Sequence, residues 1–378
     1  MQKEKAMIYP FDIEFCPIVR HKSLLSNYEI TNLVSPIGWG FNNKDVASVD
    51  GGEILEMKII NDYCKALEQC ETVIFSDSRY KLDMEKDILI KIKEAILKSK
   101  NIICTFEVDQ EYRKELIELS EENHCYIKFF GNRDFENNNI INKNKDYITF
   151  YETLQKIETP IVFILGVTER ICKFEIQLAL REKLQNLGYK VSQIGSREYC
   201  ELFGFYSFPQ FMFSGSLSEV DKIVMFNNLV KNIEISENPD VIIVGIPGGT
   251  MKINNDITNK FGVFAYEISQ ALDPDYVIMS TFYEDFKPEY FEKLNISTKY
   301  KLGYEIDCFN LSNTQLDWMA ASKLSNDIYI KLDNHFITEK LNSYKEIIPK
   351  VFNTYNKIDI MVENLVDKLN SYAGIELV

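Results

Sequence analysis

No pair of cysteines stands at CxxC or CxH spacing, although the chain holds eight cysteines. Zinc ribbons and iron–sulfur clusters gather soft ligands at such close spacings, so neither has support. The three histidines, His21, His124 and His335, have no metal-ligand spacing around them, and no metal is expected. GxGxxG is missing, so no nicotinamide site is expected. GxSxG is missing as well, as is any Ser/His/Asp ordering of an acyl-transfer triad. No window approaches the roughly 20 apolar residues that span a membrane. The opening MQKEKAMIYPFDIEF lacks the apolar stretch of a signal peptide. A cytoplasmic protein with no membrane partner is the expectation. Basic residues are also scarce: 42 Lys and Arg stand against 57 Asp and Glu, a net charge of −15. With no local Lys/Arg block to reverse that balance, nucleic acid is not expected as a partner.

What is present is a two-part α/β pattern. A length of 378 residues exceeds what one core usually covers. Short runs rich in Val, Ile, Phe and Tyr (AMIYPF, YEITNLVSP, ETVIFSDS, NIICTFEV, CYIKFF) alternate with segments whose apolar residues recur at the helix period. Residues 131–147, GNRDFENNNIINKNKDY, read as a linker or exposed loop. A second alternating series follows: TPIVFILG, YKVSQIGS, PDVIIVGIPGG, FGVFAYEIS, DYVIMSTFYE, YEIDCFNLS and NDIYIKL as strands, with helices near 171–187, 216–235, 313–324 and 357–372. The expected architecture is a Rossmann-like parallel sheet over 1–150 and a P-loop NTPase-like parallel sheet over 151–378.

The stretch IVFILGVTERICKFEIQLALREKL, starting at Ile161, carries the strand–loop–helix layout of a phosphate loop. Gly166 to Lys173 is seven positions (173 − 166), which fits a long form, GxxxxxGK[ST], with Cys172 for the second Gly and Phe174 for Ser/Thr. Glycines let backbone amides close around phosphate oxygens, and the hydroxyl holds Mg²⁺. Lys173 still reaches a phosphate, with Thr168, Arg170 and the helix N-terminus beside it. The turn GIPGG (Gly245, Pro247, Gly248, Gly249) ends another strand, where open parallel sheets place their ligands. Magnesium-dependent NTPases commonly hold an acidic residue near that position, which here is Gly245. Two Mg²⁺ contributions are thus absent, so a degenerate loop is expected, holding a nucleotide or coenzyme A if it binds phosphate at all. Arg197 in the following GSREYCELFGFYSFPQFMF completes the candidate set. The six aromatics of 203–213 in that segment read as core, or as a peptide contact. In the first domain Asp12 and Glu14 follow strand one, and DGG at 50–52 reads as a helix start.

Gly166, Lys173 and GIPGG resemble the dethiobiotin-synthetase-like branch of P-loop proteins. IVRHKSLLSNYEITNLVSP and NNKDVASVDGGE are similar to the first domain of a family that includes a D-amino-acid N-acetyltransferase. Nearly the whole chain resembles clostridial peptide-maturation-system proteins, through YPFDIEFCPIVRH, VSPIGWG, KFEIQLALREKL, KVSQIGSREYCELFGFYSFPQFMF and VIIVGIPGG. That resemblance implies a precursor peptide and a radical SAM maturase as partners, and an accessory role in maturing a ribosomally made Cys-rich peptide. The alternative is a non-catalytic pseudo-NTPase that presents the peptide. A homodimer is expected; the catalytic residues, if any, are not identifiable.

Overall fold

In a computed structural model the chain is described over residues 3–80, 82–130, 152–317, 329–344 and 350–373. It divides into two compact units, Met1–Asp134 with Glu198–Gly204, and Phe135–Arg197 with Phe205–Val378. The expected boundary near residue 150 lies outside the described residues. The short segment 198–204, read above as part of the second domain, belongs to the first unit.

The first unit is a six-stranded sheet of β1 (Glu4–Tyr9), β2 (Tyr28–Val34), β3 (Ile59–Ile60), β4 (Thr72–Phe75), β5 (Asn101–Cys104) and β6 (Ile127–Phe129). Its order is β3-β2-β1-β4-β5-β6, with every pair parallel. Helices α1 (Tyr63–Glu68), α2 (Leu89–Leu97) and α3 (Gln110–Glu122) carry the crossovers. Leu89, Ile92 and Ile96 of α2 bury against Val73, Phe75 and Ile102 of the sheet. DGG does not start a helix: the segment that follows it holds β3 and then α1. The DGG stretch ends a helical turn, Ala47–Asp50, with Gly51 in the left-handed conformation at φ 73°. Arg20 clamps that turn: its Nε and Nη2 reach the two Asp50 oxygens at 2.5 and 2.6 Å.

The second unit holds β7 (Ile161–Gly166), β8 (Val191–Ile194), β9 (Val241–Gly245), β10 (Tyr276–Tyr283), β11 (Cys308–Leu316), β12 (Tyr329–Lys331) and β13 (Lys350–Phe352). Its order is β12-β11-β10-β7-β9-β8, with β13 also on β11. All pairs are parallel except β11 with β12. Helices are α4 (Lys173–Asn186), α5 (Glu219–Glu237), α6 (Val263–Ala271), α7 (Pro288–Leu302), α8 (Asn334–Ser343) and α9 (Thr354–Ala373). β7 lies in the middle and is buried along its whole length, because both faces are covered. Ile176, Leu180 and Leu184 of α4 pack on one face with Val162 and Ile164. Phe163 and Leu165 meet the opposite core, with residues of α5, α6 and α7.

Two expected elements differ. FGVFAYEIS, read as a strand, is helix α6. Its Ala265, Ile268 and Ala271 are three apart and all buried, and that period outweighs its β-rich composition. The helix expected at 313–324 begins as strand: β11 runs on to Leu316, and 318–328 lies outside the described residues.

Candidate functional site

The loop after β7 is built by sharing hydrogen bonds with the neighbouring strands. Val167 N donates to Ser280 O (3.0 Å) and Ser280 Oγ to Ile171 O (2.5 Å). Thr314 Oγ1 donates to Arg170 O at 3.2 Å. The chain then turns through Arg170 and Cys172, both left-handed (φ 57° and 62°), and enters α4 at Lys173 rather than near 171. Cys172 therefore holds the backbone shape for which the second glycine of a phosphate loop is suited, although a Cβ makes that shape costly. Gly166 is needed because the loop folds back over it: a Cβ there would stand 2.7 Å from Ile171 Cδ1 and 2.9 Å from Lys173 Cδ.

The structure brings the two sequence motifs together. Thr250 N donates to Gly166 O at 3.0 Å, and the Lys173 ammonium donates to the Gly248 carbonyl. Gly248 turns the chain at φ 77°. A Cβ on Gly249 would meet Asn259 Cγ and Val167 O, each at 2.7 Å. Pro247 precedes them in the same turn. Gly245, where an acidic residue would serve a metal, instead lets α4 approach: a Cβ there would fall 2.2 Å from Gln177 Oε1. Gln177 accepts from Ser196 N (3.1 Å) and donates to Ser196 Oγ (3.0 Å), tying the ends of α4 and β8. Phe174, where a hydroxyl would serve the metal, is buried, with the Arg197 guanidinium 6.0 Å from its ring centre.

Lys173 is the electrostatic focus. Only 7% of it is exposed, and burial pulls its ammonium down to about 8, with Arg197 pushing the same way and Glu169 opposing. Its one hydrogen-bond partner among the described residues is a neutral carbonyl. Cations buried this deeply are ordinarily paired with an anion. Thr168, fully buried, donates to Asn259 Oδ1 at 2.9 Å, and Asn259 Nδ2 donates to Val167 O (3.1 Å) and Met251 O (2.7 Å).

Several of these residues escape sequence reasoning. Asn259 opens a turn, Asn259–Gly262, whose four residues are all left-handed (φ 50°, 51°, 57° and 74°). β12 delivers Tyr329 and Lys331, two apart and so on one face. Tyr329 OH stands 3.4 Å from Thr168 Oγ1, and Lys331 Nζ stands 3.3 Å from Cys172 Sγ. Beside them the polar run in β11, Asn310, Ser312, Asn313 and Thr314, is fully buried, which a plain core strand does not require.

Other candidates read differently. Phe203, Phe205, Phe208 and Phe211 are buried, so the aromatic segment does not offer these rings as a peptide-contact surface. In the first unit Asp12 is buried and accepts from Glu14 N (2.9 Å), Ser78 Oγ (2.8 Å) and Arg79 N (2.6 Å), joining the ends of β1 and β4. Burial pushes its carboxyl up to about 6. No group of His, Cys, Asp and Glu able to hold a metal occurs among the described residues. No helix among them is long and apolar enough to cross a membrane.

No family model and no curated protein matches the chain. Among solved structures, a DUF1611 family protein from Anabaena variabilis superposes with a TM-score of 0.61 at 10% identity, covering 98% of this chain and 100% of that one. The two-unit α/β fold is therefore shared along the full length. At that identity the likeness speaks of fold alone. A putative oxidoreductase from Bacteroides fragilis (TM-score 0.29, 10% identity, 52% and 59% coverage) and chloroplast FtsY from Physcomitrella patens (0.26, 13%, 61% and 74%) are too distant to bear on the site.

Proposed function

We propose that the second unit binds a phosphate-containing ligand, a nucleotide or an acyl-CoA, at the loop between Gly166 and Lys173. The observation that carries this reading is Lys173: a buried ammonium, held by the Gly248 carbonyl, at the N-terminus of a 14-residue helix. Gly166, Thr168, Arg170, Gly245, Pro247, Gly248, Gly249 and Arg197 form its walls. Phe174 and Gly245 remove both usual Mg²⁺ contributions, which favours coenzyme A over a hydrolysed nucleotide.

The wider role in this reading is that of a cytoplasmic accessory protein, a homodimer, in maturing a ribosomally made Cys-rich peptide. Precursor peptide and radical SAM maturase would be its partners. The support is the resemblance of stretches such as VSPIGWG and KFEIQLALREKL to peptide-maturation-system proteins. The same loss of metal-holding groups favours, as a second reading, a pseudo-NTPase that presents the peptide without chemistry.

Thermal shift and calorimetry with ATP and GTP, each with and without Mg²⁺, and with CoA and acetyl-CoA, test the site. A ligand at 100 times its dissociation constant adds about 2.7 kcal/mol of stability. The expected result is a shift that Lys173→Ala abolishes. No shift with any of these ligands would overturn the phosphate reading.

A further inference from the structure

Lys331 is a second cation that, among the described residues, is hydrogen-bonded only to neutral groups. Its ammonium reaches Cys172 Sγ at 3.3 Å and Asn313 Oδ1 at 3.0 Å, and no carboxylate among the described residues bonds it. It reaches the loop because β12 runs antiparallel beside β11, with Thr314 opposite Lys331 and Leu316 opposite Tyr329. Cys172 is the N-cap of α4, and the next residue is Lys173. Two ammonium groups, neither hydrogen-bonded to a carboxylate among the described residues, thus flank the start of one helix.

An independent observation points to a missing partner at the same loop. Thr250 is 3% exposed, yet its hydroxyl has no hydrogen-bond partner among the described residues. Its amide is bonded to Gly166 O and its carbonyl to Lys301 Nζ (2.7 Å), so the residue is fixed beside the loop with one polar group left over. Buried hydroxyls are ordinarily hydrogen-bonded, and one left unbonded is unfavourable. An anionic oxygen in the loop would accept from it.

We propose that this loop takes a diphosphate-bearing ligand without a divalent cation, and that Lys331 and the Thr250 hydroxyl do there what a metal ion does in ordinary phosphate loops. Two lysines and the helix N-terminus oppose the charge of a diphosphate. The Cys172 thiol and the Asn313 carboxamide hold Lys331 ready without neutralising it. The inference rests on the phosphate-site reading above and adds to it the groups that carry the charge, Lys331 and Thr250, and the diphosphate class.

Free pyrophosphate, ADP and CoA share that chemistry, and calorimetric titration of the full chain with each, in EDTA and then in Mg²⁺, separates the sources. At least one is expected to bind in EDTA with no gain from Mg²⁺. Lys331→Gln is expected to weaken it by about tenfold or more, as the loss of a charge-assisted hydrogen bond does. Lys331→Arg restores most of the affinity and covers the case in which the Gln variant is poorly folded. Thr250→Val weakens binding by less. Binding that requires Mg²⁺, or that survives Lys331→Gln unchanged while Lys173→Ala abolishes it, overturns this proposal and leaves the phosphate site standing. No binding of any of the three by the wild-type chain removes both.

Discussion

The Lys173 ammonium donates to the carbonyl of Gly248, joining the loop after β7 to the turn after β9. A cation so placed joins the two turns and works against stability, because burial favours its neutral form. Its folded value is about 8 against an ordinary 10.5. Below about pH 8 both folded and unfolded chains carry the charge, and the cost of burying it is felt in full. As pH rises from about 8 to 10.5 the folded chain releases the proton first, and stability is regained. The difference amounts to ~3 kcal/mol by the usual conversion of such shifts. Urea unfolding of wild type and Lys173→Met is expected to show the variant more stable at pH 7, with the gap closing by pH 10.5. A gap that does not change with pH would mean that Lys173 is not buried as a cation.

Cys172 occupies a left-handed position with no hydrogen-bonding side-chain cap on α4. A side chain there costs roughly 1–2 kcal/mol, part of which glycine gives back through the freedom of the unfolded chain. Cys172→Gly is therefore expected to stabilise the protein by about 0.5–1 kcal/mol in urea unfolding. A loss of stability would show that the sulfur's contacts with Asn313 and Lys331 outweigh the backbone strain.

The loop between Gly166 and Lys173 and the turn at 245–249 were legible in the sequence because both rest on local chain chemistry: a buried strand, glycines at its end, a helix beginning with a cation. Even the replacement of glycine by Cys172 was visible, although its left-handed backbone was not. Tyr329 and Lys331 were illegible for a topological reason. Nothing local says that a short strand more than 150 residues downstream folds antiparallel onto β11 and turns two side chains toward this loop. The misreading of α6 has another cause. Its Val, Phe and Tyr composition favours strand, and only the packing of Ala265 and Ile268 into the core decides otherwise.

Asn259 bridges three chain segments with one carboxamide while itself left-handed. Two substitutions separate these contributions. Asn259→Ala and Asn259→Gly both lose three hydrogen bonds, each worth about 1 kcal/mol net. Alanine alone also bears the left-handed cost of roughly 1–2 kcal/mol, offset in part by the larger unfolded-state freedom of glycine. Alanine is expected to be the worse substitution, and both should weaken any ligand that depends on the loop's shape. Equal losses would mean that the turn relaxes out of the left-handed region once the side chain is gone.

Glu267 on α6 is 1% exposed, and among the described residues its carboxyl oxygens find no hydrogen-bond donor of ordinary geometry, with the Glu219 carboxyl beside them. Lys222 of α5 stops 4.0 Å away and spends its shorter contacts, 3.2 and 3.3 Å, on the exposed Glu219. Burial first, and the Glu219 carboxyl second, push Glu267 well above the ordinary 4.5. A raised carboxyl contributes stability below its unfolded value, and that contribution is lost as pH rises toward the folded one. Wild type is thus expected to weaken steadily above about pH 4.5, where Glu267→Gln, neutral throughout, does not. At pH 8 the variant should be the more stable by about 2 kcal/mol, the scale of an unpartnered buried polar group. Urea midpoints at pH 4.5 and pH 8 decide it: the two proteins should nearly coincide at the lower pH and separate at the higher. If they separate equally at both, the Lys222 attraction outweighs burial and Glu267 is an ordinary ion-paired carboxylate.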